Sequence, residues 1–270
     1  EKMGKVDTIA FDKTGTLTCG KLSVSDVLPF AETVSEEELL QIVASAEARS
    51  EHPLGKAIVA HATAQNVVLA PSEDFRMTAG RGVSAKVAGR KLLCGSESYL
   101  AENGVMLEAP MREALERLRA EGKALVLAAE GERCIGALAL SDTLRPEAKA
   151  MVERLHAMDV RTVLLTGDNK EAADYFASQV GIDEIHADLL PEDKVAYVKK
   201  LQEKGRKVLM IGDGVNDAPA LKCADVSAAM GAMGSDIAVE AADIALMRDD
   251  VGEVPYLKRL ANATATTIKL

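Results

Sequence analysis

Apolar and polar residues alternate along this chain in two different rhythms. From Pro146 onward, "PEAKAMVERLHAM", "KEAADYFASQV" and "PEDKVAYVKKLQEK" repeat apolar positions at helical spacing, and between them lie short, almost wholly apolar runs, "VRTVLL" and "KVLMI". The first pattern predicts amphipathic helices and the second buried strands, which together predict a parallel sheet wrapped by helices. Further short strands are predicted at "ADVSAAM" and "DIALM", and the run Val6 to Phe11 fits this set better than its immediate neighbours.

Between Leu22 and Cys134 the rhythm changes. "SEEELLQIVASAEAR" opens with Ser35 followed by Glu38, a capping-box arrangement, and continues at helical spacing. "GVSAKVAGRKLLCG" alternates like a hairpin turning at Gly89 and Arg90, and "KALVLAAEGERCIGALAL" predicts two strands joined at Gly131. The expected organisation is an α/β domain built from residues 1–21 and 137–270, with an α+β domain of residues 22–136 inserted into it. Hinges are expected near Cys19 to Lys21 and Ala137 to Asp142. The tail "LKRLANATATTIKL" is helix-like and lacks a cap, so the chain is expected to be a fragment.

Composition narrows the partners. With 270 residues, 48% of them hydrophobic, the chain can bury at least one substantial core. A net charge of −10 and a pI near 5.1 speak against a surface made to grip nucleic acid or anionic lipid. The four cysteines are scattered without a Cys-x-x-Cys pair, which predicts packed thiols rather than a disulfide framework or a zinc site. No apolar run is long enough to span a membrane, and no signal-peptide pattern is present.

Chemistry gathers at three strand ends: "DKTGTLT" (Asp12 to Thr18), "TGDN" (Thr166 to Asn169) and "GDGVND" (Gly212 to Asp217). In a parallel sheet such tips converge on one crater. Asp12, Thr166, Asp213, Asn216 and Asp217 together suit a phosphoryl group with Mg²⁺, because hard oxygen ligands hold the ion while hydroxyl and amide groups hold phosphate oxygens. Asp12 is then the expected nucleophile, forming an aspartyl phosphate. Lys194 in "PEDK" supplies one cation, and Mg²⁺ on Asp12, Asp213 and the Thr14 carbonyl another. Glycines 167, 212 and 214 let backbone amides approach the phosphate. Taken singly, "TGDN" is an ordinary turn with Asp168 as a cap, and a helix lysine such as Lys194 is usually solvated.

The four motifs "DKTGTLT", "TGDN", "PEDK" and "GDGVNDAPAL", in this order, resemble the P-type ATPases, whose phosphorylation domain has the haloacid dehalogenase-like, Rossmann-type fold. The resemblance covers essentially the whole chain. It implies Asp12 as the phosphorylated residue, Thr14 as a magnesium and phosphate contact, and Thr166 as a phosphate-binding hydroxyl. It implies Lys194 as the neutralising lysine, Asp213 as the metal ligand, and Asn216 and Asp217 as the supporting pair. Lys13, Gly167 and Asp168 complete the catalytic set. Phosphatases of the fold commonly place a second aspartate two positions after the nucleophile; here Thr14 stands there, so water attack should be slow.

"SEHPLGKAI" and "AGRGV" resemble the nucleotide-binding domain of heavy-metal-transporting members, which implies Glu47, His52, Gly80 and Gly82 at ATP. His52 is equally explicable as a helix-start residue beside Pro53, Gly80 and Gly82 as turn glycines, and Glu47 as a solvated helix residue. "MGAMGSDIAVEAADIALM", Met230 to Met247, is more similar to zinc, cadmium and lead exporters than to copper exporters. The implied whole is a pump at the cytoplasmic face of the plasma membrane, with ATP as substrate and Mg²⁺ as cofactor. Transmembrane and actuator domains of the same parent chain are its implied partners, and the transported metal is not expected to bind in this segment. Alternatives are a free-standing phosphatase with a cap domain, a copper-type pump core, or a non-enzymatic nucleotide sensor.

Overall fold

The structure, a computed structural model, describes residues 2–213, 217–231, 240, 242–248 and 250–268, the side chains of 265–268 excepted. Two compact units are formed, Glu1–Lys21 with Asp142–Leu270, and Leu22–Ser141.

In the first unit the described strands make a six-stranded parallel sheet. Its order is β12 (Ile244–Leu246), β11 (Val226–Met230), β10 (Val208–Gly212), β1 (Thr8–Asp12), β8 (Arg161–Leu165) and β9 (Glu184–His186). Side chains alternate across it. Ile9, Phe11, Leu164, Leu209 and Ile211 share a core with α6 (Ala148–His156), α7 (Lys170–Val180) and α10 (Val254–Ile268). Ala10, Val163, Leu165, Val208 and Met210 pack instead with α8 (Pro191–Glu203) and α9 (Ala218–Cys223). Burial on both faces is why these strands read as continuous apolar runs. Each fully buried large side chain, such as Ile9 or Phe11 at 0% exposure, contributes about 1.5–3 kcal/mol. A short helix, α1 (Lys2–Lys5), lies beside α10. Phe11 stands opposite both Leu164 and Ile211, so the three chains leave the sheet at one level. That register brings the polar tips together.

The second unit's sheet runs β2 (Thr18–Pro29), β7 (Arg133–Leu144), β6 (Ala124–Glu130), β5 (Arg90–Gly95), β4 (Gly82–Val87), β3 (Ser72–Thr78), and is antiparallel from β3 through β7. Leu39 and Val43 of α2 (Glu36–Glu47) and Ile58 of α3 (Pro53–Ala64) join Val83, Ala85 and Leu92 in one core. Leu100 of α4 (Glu97–Glu102) and Leu115 of α5 (Ala109–Ala120) join Leu127 and Ala129 in another. The α/β architecture with an antiparallel second sheet is the one the sequence predicts.

Two local expectations shift. The hairpin turns at Ala88 and Gly89, with φ of 48° and 81°, and Arg90 already pairs with Val87 in the ladder. A two-residue turn of this hand needs positive φ at both central positions. Arg90 thus belongs to the strand, and its guanidinium is taken by Glu130 at 2.7 Å and Glu38 at 2.9 Å. Ser35 Oγ accepts the Glu38 amide at 3.1 Å, while the Glu38 carboxylate goes to Arg90. Among the described residues no helix is long and apolar enough to cross a membrane.

Candidate functional site

Asp12 ends β1 with 7% exposure, and Lys194 Nζ donates to its Oδ1 at 2.5 Å and to Asp217 Oδ1 at 2.8 Å. Lys194 lies in the first turn of α8, where Pro191 needs no amide partner and the Leu190 N–H donates to Asp193 Oδ2 at 2.9 Å. The loop before α8 is laced to the β8 tip: Thr166 N–H donates to the His186 carbonyl at 3.0 Å, Leu189 N–H to that of Thr166 at 3.1 Å, and Asp188 N–H to that of Asp168 at 2.7 Å. Gly167 fits beneath this loop, since a β-carbon there would sit 3.3 Å from the Leu189 carbonyl.

Thr166 is buried, and its Oγ accepts the Asp168 amide at 3.1 Å, which leaves its own proton to donate elsewhere. Lys13 pairs with Asp168 and lies over the Phe176 ring, 5.5 Å from its centroid, so these two residues tie the first strand tip to the second. Thr14 is exposed at the loop's crest. Asp217 is buried, and Asn216 and Gly214 lie outside the described residues.

One carboxylate oxygen from each of Asp12, Asp213 and Asp217 lies within 4.8 Å of the others. Burial, then the Asp217 charge, pushes the Asp12 carboxyl up to about 7 against the pull of Lys194, with Asp213 adding to the rise. Burial opposes the charge on Lys194, but Asp12 and Asp217 outweigh it and raise its pKa. A crowded set of hard oxygen donors, with one ammonium to compensate it, fits a divalent cation such as Mg²⁺.

Three supports escape a sequence reading. Arg145 is buried, and donates from Nε to the Thr16 carbonyl at 2.8 Å and from Nη2 to that of Gly15 at 3.2 Å, fixing the loop after Asp12. Thr18 Oγ accepts the Gly15 amide at 3.1 Å and donates to the Asp142 carboxylate. Gly15 itself has φ of +72°, and a β-carbon there would lie 2.8 Å from Asp213 Oδ2. Only glycine meets both demands.

A cleft of about 640 Å³, open mouth included, lies in the second unit and gathers Glu47, His52, Gly80 and Gly82. His52 caps α3, its Nδ1 accepting the Leu54 amide at 3.2 Å, so the structural role coexists with its place on the wall. Glu47 is 6% exposed, and burial raises its pKa against the opposing hydrogen bond from Ser50. The glycines differ in kind. Gly80 has φ of +70° and open space around its missing β-carbon. At Gly82 a β-carbon would stand 2.3 Å from the Cys94 carbonyl and 2.7 Å from the Tyr99 ring, so the missing side chain is what admits β5. Gly55, which the sequence reading passed over, lets α3 approach Glu47 Oε2, 2.5 Å from its virtual β-carbon.

The chain and its fold have counterparts among known proteins. The haloacid dehalogenase-like hydrolase family matches residues 6–225. The chain is 41% identical over its full length to Copper-exporting P-type ATPase B of Archaeoglobus fulgidus, covering 38% of that protein. It is 42% identical to Copper-transporting ATPase 1 of Rhizobium meliloti, covering 32% of it. It thus spans well under half of these curated relatives. Among solved structures, a zinc-transporting PIB-type ATPase in an E2.Pi state superposes with a TM-score of 0.92 at 38% identity, over 99% of this chain and 43% of that one. The catalytic domain of the CPx-ATPase CopB-B, in a study of its conformational changes upon nucleotide binding, gives 0.68 at 34% identity over 95% and 91% of the two chains.

Proposed function

Because the chain belongs to the haloacid dehalogenase-like hydrolase family, we propose that it is the ATP-hydrolysing core of a heavy-metal P-type pump, phosphorylated on Asp12. One observation carries this reading: a buried carboxylate at a strand tip, held by Lys194 at 2.5 Å among two further aspartates, is followed two positions later by Thr14 instead of an acid.

The geometry supports the following roles. An Asp12 oxygen attacks the terminal phosphorus of ATP, the bond to the bridging oxygen breaks, and ADP leaves with that electron pair. Lys194 holds the other Asp12 oxygen and offsets negative charge as the phosphate nears. The Thr166 hydroxyl donates to a phosphate oxygen, and Asp217 holds Lys194 in place from its other side; Asn216, the motif's other supporting residue, lies outside the described residues. Mg²⁺ held by Asp12, Asp213 and the Thr14 carbonyl would supply the positive charge that lets a carboxylate meet a polyphosphate. Thr14 has no carboxylate with which to activate water, so the acyl phosphate persists. Persistence suits coupling to movement better than simple hydrolysis.

ATP binds in the second unit's cleft, where Val83, Val126 and Met77 offer apolar surface to the base and Glu47 and His52 offer polar contacts. The phosphorylation role thus belongs to residues 1–21 and 137–270, and nucleotide binding to 22–136. In the parent protein, transmembrane and actuator domains complete the pump, with this segment at the cytoplasmic face. The cargo we favour is zinc, cadmium or lead, from the Met230–Met247 segment, half of which lies outside the described residues. The names of the curated copper-exporting relatives favour the second reading, a copper pump.

Hydrolysis assays separate these readings. ATP turnover abolished by Asp12→Asn, with negligible turnover of generic phosphomonoesters, supports the pump core; rapid phosphomonoester turnover supports a capped phosphatase. In the parent protein, stimulation by Zn²⁺, Cd²⁺ or Pb²⁺ but not Cu⁺ supports the favoured cargo, and the opposite pattern supports copper.

A further inference from the structure

The cleft presents one permanent cation among its described lining residues, Arg81, set between the two glycines. A nucleoside triphosphate carries several negative charges, and a wall that supplies Glu47 and neutral groups cannot offset them. The Arg81 backbone is fixed on both sides. Its N–H donates to the Thr78 carbonyl at 3.0 Å, and its carbonyl accepts the Ser96 N–H at 2.9 Å. The tight approach of Gly82 to β5 prevents the strand from turning over. The side chain therefore projects from a rigid point at the cleft. There its guanidinium is paired with Glu102, both side chains 52% exposed.

We propose that Arg81 is the phosphate-chain contact of the cleft and that Glu102 is a carboxylate stand-in which the incoming phosphate displaces. This rests on the reading of the cleft as a nucleotide site. A guanidinium fork that grips a carboxylate grips a phosphate with the same two-donor geometry. An exposed ion pair is weakly held, so exchanging one partner for a more highly charged one is favourable. Glu102 also lies at the end of α4, the helix capped by the cleft residue Ser96, which keeps the competing carboxylate near without burying it. Arg81 makes the cleft favour the phosphate chain over the nucleoside alone, and Glu102 moderates that preference.

Titration of the whole chain with ATP and with adenosine tests this. Arg81→Gln should weaken ATP binding about tenfold and leave adenosine unchanged, the loss characteristic of an accessible charge-assisted contact. Glu102→Gln should tighten ATP binding about threefold by removing the competitor, again without effect on adenosine. The double variant should bind ATP like Arg81→Gln alone, because Glu102 acts through Arg81. Three results overturn the proposal: ATP binding unaltered by Arg81→Gln, equal losses for ATP and adenosine, or a double variant that binds more tightly than Arg81→Gln. The last would show a general charge effect. If the unmodified chain binds neither ligand, the nucleotide reading falls as well. If it binds both and only the variants disagree, that reading stands and Arg81 alone is excluded.

Discussion

The strand-tip site and the cleft solve opposite problems. At the tip, charge is concentrated: Asp12 and Asp217 are buried around Lys194, with Asp213 beside them, and three backbone hydrogen bonds lace the β8 tip to the loop before α8. In the cleft, charge is sparse and shape dominates, with Gly55 and Gly82 removing side chains so that two elements can close around open space. The first arrangement is poised for a reaction that moves charge; the second can hold a large, mostly flat ligand without chemistry of its own. Mutations should therefore separate the two functions.

The largest separation comes from the ammonium. Lys194→Met should lower the rate of Asp12 phosphorylation by about a hundred- to a thousandfold while ATP binding to the cleft stays within twofold, since an electrostatic contact at the reacting centre is removed. Quench kinetics beside nucleotide titration would show it, and a parallel loss of ATP affinity would mean that the two sites are not separable in this way.

The mirror experiment is steric. Gly82→Ala pushes a methyl into the Cys94 carbonyl at 2.3 Å and should cost about 1–3 kcal/mol of stability together with ATP binding, while a phosphate analogue still binds the Asp12 site. Gly80→Ala meets no atom within 4 Å and has only its φ of +70° to overcome, so its cost should be smaller, about 1–2 kcal/mol. Thermal melts of the two variants test the distinction. Equal losses would mean that the close approach of β4 and β5 is not what requires Gly82.

The subtlest contrast is in pH. Asp12 keeps its proton up to about 7 in the folded chain but only to about 3.9 when unfolded, so the native state binds more protons over that window. Its contribution to metal-free stability is thus full below the unfolded value and declines as pH rises towards 7. Asp12→Asn should flatten this part of the profile and make the metal-free chain more stable at neutral pH. Added Mg²⁺ should do the same for the unmodified chain. Denaturant melts from pH 4 to 7 would reveal it.

Much of this was legible in the sequence, for a physical reason. Strands buried on both faces announce themselves as apolar runs, and the acids and hydroxyls that end them stand at the carboxyl edge, where open α/β sheets present their chemistry. Asp12, Thr166 and Asp213 were visible on those grounds, and the sheet register then brought their chains to one level. Arg145 was not visible, because its partners are carbonyls well over a hundred residues earlier and a carbonyl has no sequence signature. For Gly82 the sequence carries a turn or a ligand contact, and only three-dimensional packing shows that a side chain there would meet Cys94 and Tyr99. The hairpin turns at Ala88 and Gly89 because the two-residue turn takes positive φ at both positions, and Ala88 carries no sequence signal for that conformation.

The most direct test of the account is covalent. The chain is incubated with γ-labelled ATP and Mg²⁺, quenched in acid, and assayed for protein-bound label before and after hydroxylamine. Label that is stable to acid, released by hydroxylamine, and absent from Asp12→Asn is the predicted result. Equal labelling of the Asp12→Asn chain would contradict it.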